Sequence, residues 1–183
     1  MNRGAPFGLA QGGRGERPRG KRGAVPAGVQ VEIRLAGPGD AAAIAGVLHE
    51  SFVEFRALYT DGGFAATVLD ADQILARMRE GPVWVALRAG VVLGTVAAVV
   101  KDDSVYLRGM AVLPTARGFG AGASLLQQAE NWARAEGFHR LFLSTTPFLH
   151  SAIRLYERYG FRRTDEGLHD LVGTPLFTMQ KTI

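Results

Sequence analysis

The sequence contains no cysteine and only four histidines, at positions 49, 139, 150 and 169. The absence of cysteine excludes a disulfide framework, a cysteine nucleophile and thiolate metal sites, and it is typical of a reducing cytoplasm. The histidines lack the spacing of a metal-ligand set. We therefore predict a cytoplasmic protein that uses no metal ion.

Long apolar runs are also missing. The longest candidate, residues 91–100, has the length of a strand and includes Gly94 and Thr95, so it is too short and too polar to span a membrane. With 183 residues, 47% of them hydrophobic, the chain is long enough and apolar enough for one domain with its own core. We predict a single domain without a membrane partner.

Acidic residues are scarce near the N-terminus. Residues 1–28 carry six lysines and arginines against one glutamate, a net charge of +5, so the rest of the chain carries −1 of the total of +4. The segment is rich in Gly, Arg and Pro, which predicts a disordered basic tail before a domain at 29–183. The tail is either an inert extension or a weak binder of RNA or an acidic surface. For the domain itself we expect no nucleic-acid partner.

The first half of the domain shows a strand pattern followed by helical patterns. Residues 29–35 alternate as a strand does, and a helix is predicted to begin with Asp40 as its N-cap. Residues 56–66, which include two adjacent glycines, predict a break between helices. A second helix is predicted at 67–80, because Asp70 is followed by Gln73 at capping-box spacing.

The second half predicts most of a sheet. Three strand-like runs with short turns indicate an antiparallel meander, and the later run RLFLST is apolar enough for a central position. Two further helices and two closing strands complete the pattern. The expected fold is mixed α/β, with a largely antiparallel central sheet of about six or seven strands flanked by about four helices.

A glycine-rich loop, PTARGFGAG at residues 114–122, is the strongest functional signal. The ATP-binding phosphate loop requires a lysine before Ser or Thr, and Ser124 here follows an alanine, so that interpretation fails. A dinucleotide fingerprint is disfavoured, because the strand ends well before Gly118 and no acidic residue ends the next strand. The remaining alternatives are a structural turn and an anion cradle in which backbone N–H groups converge at a helix N-terminus.

The wider context of the loop resembles the GNAT superfamily of N-acetyltransferases. The order of parts is a strand, Val-x-Pro, Arg-Gly-x-Gly-x-Gly, Leu-Leu, a glutamate in the helix, a second strand and then LYERYGF. This resemblance covers about the central acetyl-CoA-binding half of the domain. It implies acetyl-CoA as cosubstrate and the GNAT fold.

The resemblance also implies which residues bind coenzyme A. The pyrophosphate would lie on the backbone amides of the loop, and the pantetheine arm beside the strand that precedes it. Many relatives carry an asparagine where Leu149 stands here, so either Thr145 or Thr146 would make that contact instead, or the contact is absent. The expected cofactor residues are Met110, Ala111, Val112, Arg117, Gly118, Phe119, Gly120, Ala121, Gly122 and Thr145.

Tyr156 matches the tyrosine that protonates the departing thiolate in many family members. A phenol with a reference pKa of about 10 carries its proton at neutral pH and can supply it. The alternative is that Tyr156 is only a core aromatic. The resemblance further implies direct attack of an amine on acetyl-CoA in a ternary complex.

The acceptor side is less defined by sequence. Glu54 is our candidate for the general base and Tyr59 for acceptor binding, both from the segment where relatives shape the acceptor site. Asp61 is a further candidate base, as are three residues expected in the loop between the last strands, Glu166, His169 and Asp170. Arg108 calls for an anionic partner, which is either an internal carboxylate or a carboxylate of the substrate.

These features together predict an N-acetyltransferase that acts on a primary amine of a small molecule or peptide. The alternative from another class is a non-catalytic acyl-CoA-binding regulatory module. The sequence leaves the oligomeric state open, with a homodimer among the alternatives.

Overall fold

The computed structural model describes residues 30–183. The predicted tail at 1–28 lies outside the described residues. The seven strands are β1 Glu32–Leu35, β2 Val83–Arg88, β3 Val91–Lys101, β4 Ser104–Val112, β5 Arg140–Thr145, β6 Arg162–Leu171 and β7 Thr174–Thr182. The five α-helices are α1 Ala41–Phe52, α2 Asp61–Thr67, α3 Ala71–Glu80, α4 Ala121–Ala135 and α5 His150–Arg158.

The strands form one sheet in the order β1-β2-β3-β4-β5-β7-β6. Every neighbouring pair is antiparallel except β4 and β5, which are parallel. The meander of β2, β3 and β4 and the interior position of β5 are as predicted. The predicted mixed α/β fold with a largely antiparallel sheet is confirmed.

Helices cover both faces of the sheet and bury a core on each. The face of α4 and α5 holds the larger cluster, which includes Leu125, Leu126, Leu141 and Phe161. The opposite face packs the apolar side of α1 and α3 against β2 and β3. Among the helices of residues 30–183, none combines the length and the apolar character that a membrane crossing requires.

Part of the predicted break at residues 56–66 is helical. Helix α2 contains both glycines, and Thr60 caps it by accepting a hydrogen bond from the N–H of Gly63. A Cβ on Gly62 would overlap with the side chain of Val172, and one on Gly63 would overlap with that of Thr174. The glycines therefore permit close approach of α2 to the β6–β7 hairpin, and they do not mark a chain break.

Asp40 precedes α1 as predicted but does not cap it through its side chain. Its carboxylate accepts two hydrogen bonds from Arg34, at 2.7 and 2.8 Å, and one from the N–H of Gly37. These contacts, chiefly those from Arg34, lower the pKa of Asp40 to about 2. The residue therefore joins the end of β1 to the start of α1.

The loop expected between the last two strands is itself strand. Residues 166, 169 and 170 belong to β6, and a register irregularity between Arg163 and Leu168 is the only break in its pairing with β7. The turn of this hairpin is confined to Val172 and Gly173, which both have positive φ. The loop prediction was wrong because the exposed, polar composition of β6 hides its strand character.

Candidate functional site

The sheet opens between its two parallel strands. The pairing of β4 with β5 covers only residues 105–107 and 141–143, and beyond that point the strands diverge. Gly109, with φ of 57°, lies in an irregularity where β4 shifts its register against β3. After Leu107, the described part of β4 pairs with β3 but no longer with β5, so the edge of β4 that faces β5 is unpaired.

A cleft of about 920 Å³ lies at this opening. It extends from α1 and the segment after it, past the diverging strands, to the glycine loop and α5. Its described lining contains five arginines, at positions 77, 108, 117, 154 and 158, and no Asp, Glu or His. The cleft is therefore electropositive along its length and suits anionic ligands.

The glycine loop forms one end of this cleft. Gly118 and Gly120 have φ of 86° and 83°, and a Cβ added to either would meet no atom within 4 Å. Gly122 differs, because a Cβ there would lie 2.8 Å from Leu155. The first two glycines thus shape the loop in front of the cleft, whereas the third lets α4 approach α5.

The loop presents its amides at the N-terminus of α4. Gly120 is the N-cap residue, and the first N–H groups of a helix have no intrahelical acceptor. The N–H of Arg117 donates to the carbonyl of Pro114 at 3.4 Å, so its amide is engaged, contrary to expectation. Among residues 30–183, no such loop hydrogen bond engages the N–H groups of residues 118–123.

Glu54 contacts the loop and not the open cleft. Its Oε1 lies 2.6 Å from Nη2 of Arg117, and Arg117 also approaches the carbonyl of Ser51. Glu54 is absent from the described lining of the cleft. This ion pair disfavours its predicted role as general base and indicates that it positions Arg117.

The other predicted cofactor residues lie as follows. Met110, Ala111 and Val112 line the cleft on β4, and Thr145 lines it at the buried end of β5. Phe119 is absent from the described lining of the cleft; its ring is 59% exposed, and the guanidinium of Arg88 lies over it at 5.0 Å.

Tyr156 is buried in the α4–α5 core and also lines the cleft. Burial, and secondarily the nearby Tyr106 and Tyr59, raise its pKa well above that of a free phenol. Its hydroxyl therefore remains protonated across the physiological pH range.

Tyr59 lies in an aromatic cluster on the acceptor side. Its ring meets those of Phe148, Phe52 and Phe64 edge-on, with centroids 4.9, 6.4 and 6.0 Å away. Burial raises the pKa of Tyr59. Tyr59 lines the cleft as a buried aromatic wall with a polar tip.

Arg108 has the internal partner that its position in an apolar strand called for. It forms an ion pair with Glu80 at the end of α3, and it still lines the cleft. Arg77 lies beside it, and sequence reasoning missed this residue. The signal was present, because Arg77 follows Ile74 by three positions and therefore falls on the apolar face of α3.

Three buried side-chain atoms in residues 30–183 have no hydrogen-bond partner: Oγ of Ser51, Nε of Arg108 and Oγ1 of Thr146. All three residues line the same cleft. Buried polar groups are normally satisfied, and exceptions need an explanation. Their coincidence marks the cleft as the place where a polar ligand completes the bonding.

The remaining candidate bases are engaged elsewhere. Asp61 pairs with Arg56, and Asp170 accepts a hydrogen bond from the N–H of Gly173 in the hairpin turn. Glu166 and His169 line a separate depression of about 530 Å³. Across residues 30–183, no three His, Asp or Glu side chains are grouped to hold a metal ion.

Comparison with known proteins agrees with this geometry. Residues 45–161 match the model of the Acetyltransferase (GNAT) family. The uncharacterized N-acetyltransferase YjgM of Escherichia coli (strain K12) is 35% identical over 136 residues, which are 70% of this chain and 80% of YjgM. The IAA acetyltransferase of Azospirillum brasilense is 39% identical over 79 residues, 42% of this chain and about half, 52%, of that protein.

A solved structure resembles the whole described domain. The structure of yncA from Salmonella typhimurium, with its cofactor acetyl-CoA, aligns with a TM-score of 0.66 and 26% identity. The alignment covers 83% of this chain and 93% of yncA.

Proposed function

Because the chain belongs to the GNAT family of acetyltransferases, we propose that it transfers an acetyl or short acyl group from coenzyme A to a primary amine. The observation that carries the proposal is the single cleft that joins the glycine loop, the opening between β4 and β5, and Tyr156. The amine attacks directly while both substrates are bound.

The donor binds at the end of the cleft that the glycine loop forms. Its pyrophosphate accepts hydrogen bonds from the N–H groups of residues 118–122, at the positive end of α4. Arg117, held by Glu54, supplies a cation at the same end, and Arg154 and Arg158 line the cleft from α5. A large side chain at Gly118 or Gly120 would occupy the space that the phosphates need.

The pantetheine arm runs along β4 where β5 has diverged. The chain from Met110 to Val112 has no ladder to β5, so its outward backbone groups are available to the ligand. An N–H from this stretch also polarises the thioester carbonyl, because it donates to the oxygen where negative charge develops.

The chemistry forms one bond and breaks another. The lone pair of a neutral amine attacks the thioester carbon, and the resulting intermediate loses the thiolate as the C–N bond becomes an amide. The nitrogen gives up a proton in this step, and the thiolate takes one up. The net products from a neutral amine are the acylated amine and coenzyme A, and one proton is released in addition when the acceptor enters as its ammonium form.

Tyr156 stabilises the leaving thiolate by donating a hydrogen bond from its buried hydroxyl. At reference pKa values of about 10 and 8.5, complete transfer from phenol to thiolate is uphill by roughly 2 kcal/mol. An apolar site raises the pKa of both groups, because both anions lose hydration. Hydrogen-bond donation lowers the barrier without requiring a full transfer from the phenol.

The amine must be neutral before it attacks. At pH 7 this costs about 4.6 kcal/mol for a lysine side chain but only about 1 kcal/mol for an α-amine. The described lining of the cleft offers no Asp, Glu or His as a base, and its arginines lower the pKa of a bound ammonium group. We therefore place peptide N-termini and other amines of low pKa ahead of lysine side chains as acceptors.

The test is acceptor-dependent release of the coenzyme A thiol from acetyl-CoA, measured with a panel of amines, polyamines, aminoglycosides and peptides. We expect at least one acceptor class to give turnover, with stoichiometric acylated product by mass spectrometry. Tight binding of coenzyme A without acceptor-dependent thiol release would favour the regulatory module over the enzyme.

A further inference from the structure

The acceptor side of the cleft holds two guanidinium groups. Arg77 projects from α3 and Arg108 from β4, and both line the cleft. The guanidinium of Arg77 lies directly over Gly109, where an added Cβ would overlap with its Nη1. Glycine at position 109, next to Arg108, therefore leaves the space that the guanidinium of Arg77 occupies.

The charges on this side do not balance. Glu80 pairs with Arg108, and it is also the carboxylate whose charge opposes the lowering of the pKa of Arg77. Arg77 forms no hydrogen bond or salt bridge with another residue of 30–183. Burial, followed by the charge of Arg108, lowers the pKa of Arg77 to about 10, which leaves it charged at neutral pH.

The hydrogen bonds do not balance either. Nε of Arg108 is buried and has no partner among the described residues. A guanidinium presents five donors in a plane, and Glu80 engages only Nη2 of Arg108. Two half-buried guanidinium groups with donors to spare are the usual means of binding a planar anion.

We propose that the acceptor is a small primary amine that also carries a carboxylate, and that Arg77 and Arg108 bind this carboxylate. The inference rests on the proposed function and names the substrate class of the same site. The surplus positive charge both holds the carboxylate and lowers the pKa of the neighbouring ammonium group, which favours the reactive neutral amine.

The position of the arginines limits the size of this acceptor. Arg108 precedes Met110 by two residues, and two residues of strand span about 7 Å at most. The carboxylate therefore lies a short distance from the thioester that Met110 flanks. This spacing suits amino acids and N-terminal acidic dipeptides better than long polyamines.

The experiment compares amino acids with their primary amides as acceptors. A free carboxylate raises the pKa of the neighbouring ammonium group, so kcat/KM is taken from the pH profile of each acceptor and expressed per neutral amine. We expect kcat/KM for the acid to exceed that for the amide by about tenfold or more, as charge-assisted hydrogen bonds imply. Arg77→Gln should remove this preference without changing KM for acetyl-CoA, and Arg77→Lys should retain part of it. Arg79→Gln, an exposed change on the same helix, is the matched control.

A binding measurement separates this inference from the proposed function. N-acetylglycine and N-acetylglycinamide are titrated calorimetrically into the full chain in the presence of coenzyme A. We expect the acid to bind about tenfold more tightly or better, and Arg77→Gln to abolish the difference. If no acceptor supports turnover, the enzyme proposal fails while the titration still decides the anion site. Equal affinity of acid and amide, or an unchanged preference in Arg77→Gln, overturns the inference.

Discussion

Tyr156 is a buried aromatic that lines the cleft, and removal of its hydroxyl isolates the chemical role of that group. We expect Tyr156→Phe to lower kcat by about 10–100-fold, because the leaving thiolate loses a hydrogen-bond donor. KM for acetyl-CoA should change little, since the ring still packs in the core. Steady-state kinetics over a range of pH would measure both effects.

The pH profile supplies the control for this prediction. Burial raises the pKa of Tyr156, so its proton is present throughout the range below pH 10. The rising limb of kcat/KM should therefore follow the acceptor amine and persist in Tyr156→Phe. An unchanged kcat in the variant would reduce Tyr156 to a packing residue.

Gly120 offers a second test at the scale of single residues. Gly120→Glu places a carboxylate at the mouth of the loop and should abolish binding of coenzyme A. Gly137→Glu is a matched control, because Gly137 has φ of 84°, close to the 83° of Gly120, and both face open space. Both variants should lose similar stability, about 1–2 kcal/mol, from the strained backbone. Calorimetric titration with coenzyme A that gives equal affinities for the two variants would refute the anion cradle.

At the scale of elements, α2 depends on its glycines for docking. Helix propensity alone predicts that Gly63→Ala stabilises the protein, yet its Cβ would overlap with Thr174 and lie 2.9 Å from the carbonyl of Leu171. We expect a loss of about 1–3 kcal/mol in the free energy of unfolding, measured by urea denaturation. Gly46→Ala in α1, where a Cβ meets nothing, should gain about 0.5–1 kcal/mol. A stabilised Gly63→Ala would show that α2 does not pack against the hairpin in this way.

The ion pair that joins β1 to α1 makes a pH-dependent contribution to the stability of the folded protein. The pKa of Asp40 is lowered in the folded state to about 2, chiefly by Arg34, so the contribution is present above the unfolded value near 4 and is lost as pH falls toward 2. Because Arg34 is partly exposed, we expect Asp40→Asn to cost only about 1 kcal/mol at pH 7. Unfolding experiments should show that the difference in free energy of unfolding between the native protein and Asp40→Asn is smaller near pH 2 than at pH 7. Arg34→Gln should show the same dependence on pH. A pH-independent difference would assign the loss to local geometry.

Some elements of the fold follow from local sequence patterns, and others depend on tertiary contacts. The meander, the interior strand and the capping box at Asp70 followed from local patterns, because alternation and cap spacing are local properties. The helix at Gly62 and Gly63 could not be predicted from local patterns. Its glycines are needed because Val172 and Thr174, more than a hundred residues away in sequence, pack against them. Tertiary contact decided against local propensity there.

Some residues of the candidate site could be located from the sequence, and others could not. The glycine loop and Tyr156 could be located from spacing and from the resemblance, and both line the cleft. The ion pair of Glu54 with Arg117, and the meeting of Arg77 with Arg108, depend on how separate elements pack. The two members of each pair lie on different elements, far apart in sequence, so no local pattern could predict that they meet. The cytoplasmic location remains a prediction, and the oligomeric state remains open.

At the scale of the whole molecule, the cleft and both cores are built from residues 30–183. All of the described residues that line the cleft lie between Ser51 and Leu176. We therefore expect removal of residues 1–28 to leave the unfolding midpoint, kcat and KM for acetyl-CoA unchanged within error. Thermal unfolding and kinetics of the two chains, compared at equal salt concentration, would measure this. A shift in KM would give the basic segment a part in binding the anionic donor.

The divergence of β4 from β5 also bears on how the sheet holds together. Only three residue pairs join the half-sheet of β1–β4 to that of β5, β7 and β6. A pantetheine arm bound in the gap, as proposed above, would contact both halves and would hold them together while it is bound. Any ligand that binds the folded state alone stabilises it by mass action. We therefore expect the unfolding midpoint to rise with the concentration of acyl-coenzyme A, because a bound donor adds contacts across a junction of only three residue pairs.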